Sequence, residues 1–153
     1  MTAQRFQRPP TPQAARPTAA QRLRQAANLL NGSTLAGVAV ALSSGARLRR
    51  GPRGLLLASG YRLPLPHARA FVLGNVVLYR GEASELLSMP ALLGHEEKHC
   101  TQYALCLGLP FLPLYFAAAG WSVLRTGNPG TANVFERRAG LAAGGYPSRK
   151  DGT

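Results

Sequence analysis

The stretch Leu92-Leu93-Gly94-His95-Glu96-Glu97-Lys98-His99-Cys100-Thr101-Gln102-Tyr103 decides how this chain is read. It contains the pattern H-E-x-x-H. On a helix, residues four apart share a face, so the imidazoles of His95 and His99 can point at one metal ion. Glu96 lies about 100° further round. It cannot easily join the histidines on the ion, but it can reach a water held there. A Zn²⁺ ion with three protein ligands and an open fourth position acidifies such a water, and a neighbouring carboxylate then acts as general base. The alternative is a solvated helix with two unrelated histidines. The helical wheel speaks against it, because Leu92, His95, His99, Tyr103 and Cys106 fall on one side while Glu97 and Thr101 fall opposite. The histidines therefore sit in the apolar stripe that should face the core. There a shared metal is the simplest partner for both.

The chain around this helix has 153 residues, enough for one domain with a modest core. Its net charge is +12, from 18 basic against six acidic residues. Only Lys98 and Lys150 are lysine, so the excess is arginine, and most of it lies at or before Arg80. Such an excess suits nucleic acid or an anionic membrane surface, or simply solvates the fold. No zinc-finger spacing and no basic strand interleaved with aromatics is present, so nucleic acid is not the expected partner. Cys100 and Cys106 are six residues apart on one helix and too distant to bridge. The absence of a disulfide framework fits a reducing compartment, and the cytoplasm is the expected location. Cys100 reads as a small buried apolar residue rather than a ligand or nucleophile.

Residues 1–18, with Pro9-Pro10, Pro12 and Pro17, lack the apolar mass for a core and read as a disordered basic leader. Residues 19–146 read as one domain and 147–153 as a tail. Ala19 to about Leu30 fits a short helix. The run Leu35–Leu42 is too short to span a bilayer but could touch one. Arg47 to Gly54 reads as a basic turn. Leu55–Ser59 and Phe71–Arg80 read as strands of an antiparallel set, punctuated by glycine and proline. His67, alone in a proline-rich loop, reads as a surface residue. Ser88 can cap the motif helix, which should end near Gly108. Phe111 to Arg125 is apolar nearly all round and is expected to be buried behind the metal site. Asn133 to about Ala142 is a further helix, closed by Gly144-Gly145.

A catalytic zinc needs a third ligand. Glu136, brought back by a helical hairpin, is the leading candidate. Asn133-x-x-Glu136 is also a capping-box pattern, in which the glutamate only reaches back to its own helix start. Glu82, Glu85 and His67 are the rivals.

H-E-x-x-H followed by Gln102-Tyr103, the Gly108 break, Phe111-Leu112-x-Leu114-Tyr115 and Asn133-x-x-Glu136-x-x-Ala139 resembles small bacterial zincin-type metallopeptidase domains of the gluzincin kind. The likeness covers about Phe71 to Tyr146. It implies a small α+β domain, with short antiparallel strands followed by a three-helix zinc-site region. By that resemblance His95, His99 and Glu136 hold Zn²⁺, Glu96 is the base, and the strand Phe71–Arg80 flanks the cleft and pairs with an extended peptide or protein substrate. Tyr103, Tyr115 and Tyr146 are candidates for stabilising the oxyanion. The sequence departs from the commoner pattern at Glu97 and Lys98, which are usually uncharged. Glu97 faces away, whereas Lys98 lies nearer the histidine side. A metal-binding protein without turnover, and a basic module on nucleic acid or anionic lipid, are the alternatives to a peptidase.

Overall fold

The computed structural model describes residues 16–64 and 66–147. Nearly all of the expected leader, and of the tail, lies outside the described residues. Thr18, at the leader's end, is the N-cap of the first helix. Its hydroxyl accepts from the Gln21 N–H, and the Gln21 side chain accepts from the Thr18 N–H.

Helices α1 (Ala19–Leu30) and α2 (Ser33–Ser43) meet at an elbow at Asn31-Gly32. The strands β1 (Arg47–Arg50), β2 (Leu56–Ser59), β3 (Ala70–Leu73) and β4 (Val76–Tyr79) form one sheet in the order β1-β2-β4-β3. Helices α3 (Ala83–Leu87), α4 (Pro90–Leu105), α5 (Phe111–Thr126) and α6 (Val134–Ala139) complete a mixed α+β fold. The sheet is covered on both faces. Val77 and Tyr79 join the cluster that contains Leu93, Cys100 and Tyr103 of α4, while Val76 and Leu78 join the cluster around Ala41 of α2. All four residues of β4 are therefore buried, as in a central strand.

The expectation of antiparallel strands needs correction. β1–β2 and β3–β4 are antiparallel, but β2 and β4 run parallel. The apolar run Phe71–Arg80 conceals a hairpin, with Leu73 opposite Val76 and Gly74-Asn75 as its two-residue turn. Gly74, at φ 63°, takes a conformation that side chains rarely adopt, and a Cβ there would meet the Thr34 backbone. The Asn75 side chain donates to Thr34 Oγ1 and accepts from Asn28, which pins the turn against the α1–α2 elbow. Arg47 to Arg50 is an edge strand rather than a turn. Its exposed arginines discourage pairing with another chain, which gives part of the basic excess a local purpose.

Two further expectations fail. Ser88 ends α3, where its hydroxyl donates to Glu85 O, and α4 starts without a side-chain cap. Helix α5 is not buried: only Phe111 and Ser122 are fully covered, with Leu112 and Tyr115 partly so. A helix that is apolar all round does not announce which side is covered. Among the described residues no single helix is long and apolar enough to cross a membrane.

Glu97 holds α1 to α4. Its carboxylate takes Arg24 at 2.7 Å, Arg53 at 2.9 Å and the Gln21 amide at 2.9 Å. Arg24 is buried and also donates to Arg53 O. Glu97→Ala strands that guanidinium and should cost about 2 kcal/mol, read as a lowered urea midpoint.

Candidate metal centre

α4 carries both histidines inward, one turn apart. His95 Nε2 and His99 Nε2 lie 3.0 Å from each other. Glu136 Oε2 lies 3.2 Å from His95 Nε2, and Oε1 lies 3.5 Å from His99 Nε2. All three residues are buried. The capping-box alternative for Glu136 is not what the geometry displays. Asn133 caps α6 by accepting from the Phe135 N–H, and the Glu136 carboxylate turns to the histidines instead.

The outer partners fix which lone pairs face inward. His95 Nδ1 meets Gly140 O at 3.0 Å, an acceptor only, so Nδ1 must carry the proton. His99 Nδ1 meets Gln102 Oε1 at 2.7 Å, and the Gln102 amide nitrogen donates to Phe135 O, which sets the amide's orientation. Both Nε2 atoms are then free of protons in the neutral rings. Glu136 Oε2 lies close to His95 Nε2, yet that oxygen has no hydrogen-bond partner among the described residues. The tautomer explains why: with the rings neutral, lone pair faces lone pair. At 3.0 Å the two imidazoles cannot both be protonated toward each other. A cation among the three groups relieves what one proton relieves only in part.

The balance changes once the imidazole pair takes up a proton. Burial works against a charge on Glu136, but hydrogen bonding from the protonated pair and from Tyr115 then outweighs it and holds the carboxyl well below its usual range. Burial likewise opposes a charge on His99, yet the Glu136 carboxylate wins and raises it. Burial lifts Glu96 to about 7, against the pull of His99 and His95. Glu96 makes no hydrogen bond among the described residues, so its carboxyl is committed to nothing else. The buried His95, His99 and Glu136 thus form a group that could hold a metal ion.

Residues that the sequence did not single out for this work complete the site. Tyr115 of α5 donates its hydroxyl to Glu136 Oε1. Gln102, three residues after His99, orients that ring; its spacing is the signal that could have found it. The turn after α6 folds over His95 so closely that a Cβ on Gly144 would come within 2.5 Å of the ring. An open cleft of about 590 Å³ runs beside His95, bounded by Gly94, Lys98, Arg137 and residues 139–143. Lys98 does approach the site, but its ammonium donates to Ala139 O at the end of α6. Of the other candidates, His67 is exposed and outside the cluster, while Glu82 and Glu85 belong to the α3 end. Glu85 pairs with Arg69. Cys100 is fully buried, and its thiol is pushed up by that burial, as an inert core residue should be.

Removing the Tyr115 hydroxyl takes away an outer partner while leaving His95, His99 and Glu136 in place. Tyr115→Phe should weaken metal affinity about tenfold, measured by competition with a chromogenic chelator.

No protein-family model, no curated protein and no solved structure matches this chain.

Proposed function

We propose that the protein is a zinc-dependent metallopeptidase of the zincin kind, in which His95, His99 and Glu136 hold the metal and Glu96 is the general base. The observation that carries this reading is the convergence of two imidazole lone pairs and a carboxylate beside a buried, uncommitted glutamate. Two nitrogens and one oxygen suit zinc, with a fourth position left for chemistry. Zn²⁺, when bound, polarises a scissile carbonyl and lowers the pKa of a water. Glu96 takes a proton from the attacking water as the C–O bond forms. It returns that proton to the amine nitrogen as the C–N bond breaks.

Among the three tyrosines, Tyr103 is buried in the core and its hydroxyl has no partner among the described residues. Tyr115 is held by Glu136. Tyr146 is half-buried, and burial first and the Glu136 carboxylate next keep its phenol protonated, so with the other two set aside it is the tyrosine we assign to the oxyanion. β3 is an edge strand packed against α4, as an edge that pairs with an extended peptide requires. A fold this small suits a flexible substrate segment.

The test is elemental analysis of the full chain and of His95→Ala, followed by digestion of an unfolded protein with and without chelator. Wild type should carry one zinc per chain, His95→Ala should lose it, and chelation should stop cleavage until zinc is restored. Equal metal content in both proteins would overturn the site. Bound zinc without cleavage of any flexible substrate would leave a metal-binding protein without turnover.

A further inference from the structure

The α1–α2 and α4–α5 elbows lie side by side: a Cβ on Gly108 would come within 2.8 Å of the Asn31 side chain. Leu30, Leu105 and Leu107 project there, 87%, 77% and 79% exposed. Leu107 holds φ at 59°, a strained conformation for a branched apolar residue that ends up in solvent. Helix α5, which starts from this corner, also exposes Phe116, Trp121 and Leu124, by 65%, 56% and 83%. No charged residue occurs between Lys98 and Arg125. At the far end the Arg125 guanidinium lies 5.3 Å from the Trp121 ring centre.

We infer that this face, the paired elbows together with the outer side of α5, docks on an anionic membrane surface. Apolar exposure on this scale needs a cover, and charge selects which. The face itself carries no charge but has Arg125 at its rim, and the net charge of +12 works against self-association and draws the molecule as a whole to anionic lipid. The chain's own first 15 residues cannot serve, since Met1 and Phe6 are their only large apolar side chains. A tryptophan stacked with an arginine at the edge of an apolar helix face suits the boundary between acyl chains and headgroups. The helix lies in that boundary rather than across it. At 16 residues it is about 24 Å long, short of the hydrocarbon thickness. Its inner side is meanwhile occupied by Phe111 and by Tyr115, which bonds Glu136. This inference does not depend on peptidase activity.

Trp121 is the only tryptophan, so its fluorescence reads this face directly. The full chain is mixed with vesicles of phosphatidylcholine alone, or with about 30 mol% phosphatidylglycerol, and followed by sedimentation and Trp121 emission. Anionic vesicles should sediment the protein, shift the emission to the blue and let brominated acyl chains quench it, with little binding to neutral vesicles. Leu107→Asp and Phe116→Asp should each weaken partitioning about tenfold without lowering the melting temperature, since neither side chain is buried and aspartate tolerates the backbone at position 107 better than leucine. Binding that salt abolishes but these substitutions leave unchanged, or that leaves Trp121 emission unmoved, would overturn the proposal. So would a dimer, detected by light scattering without lipid, in which Trp121 is already shielded from quenchers.

Discussion

Glu136→Gln should weaken zinc binding more than about 100-fold, beyond what loss of an outer-shell partner costs, and should leave the fold intact. The carboxylate supplies a full negative charge and a third corner within 3.5 Å of both Nε2 atoms. An amide keeps the shape and loses the charge. Its oxygen can still accept from the Tyr115 hydroxyl, and its nitrogen can donate to His95 Nε2, so the metal-free protein should melt much as wild type does. Isothermal titration of zinc into the two proteins distinguishes the ligand from a helix-capping residue. A cap would lose about 1 kcal/mol of stability on substitution and leave zinc affinity unchanged. Because Asn133 caps α6 with its own side chain, stability is the quantity expected to stay still.

Protons compete for the same site. The raised affinity of His99 for a proton means that zinc affinity should begin to fall, as pH is lowered, before the ordinary imidazole range is reached. Zinc titrations repeated at several pH values would read this directly.

The motif helix was legible because its signal is local. The four-residue spacing of His95 and His99 places both rings on one face whatever the rest of the chain does. Glu136 was legible only as a choice, since Asn133-x-x-Glu136 satisfies a capping rule and a ligand geometry equally well. The carboxylate is turned toward the histidines and Tyr115 by the packing of α6 on α4 and α5, and no spacing encodes that packing. Lys98 was placed near the site by the helical wheel, but its partner, Ala139 O, is 41 residues away. The hairpin at Gly74-Asn75 was hidden because β4 is covered on both faces and so lacks an alternating pattern. The exposure of α5 was hidden for a related reason: an unbroken apolar run does not distinguish a buried helix from one whose outer face awaits a partner.

Glu96→Gln should abolish hydrolysis, by at least about a thousandfold, and at the same time stabilise the metal-free protein at neutral and alkaline pH. The two effects share one cause. Burial among apolar neighbours and beside Glu136 raises the Glu96 carboxyl from an ordinary 4.5 to about 7. The folded chain therefore binds this proton more tightly than the unfolded chain does. Its contribution to stability is fully present below pH 4.5 and is lost as pH rises through 7. Above that point the ionised carboxylate costs the fold up to roughly 3 kcal/mol. Glutamine carries no charge and escapes the cost, so the difference in unfolding free energy between variant and wild type should grow from near zero at pH 4.5 toward that value above pH 7. A bound divalent cation favours the ionised form and should shrink the difference. Urea unfolding of both proteins across this range, with chelator and with zinc, reads the whole pattern. A difference that is independent of pH would mean that Glu96 is not the buried, uncommitted carboxylate on which the base assignment rests.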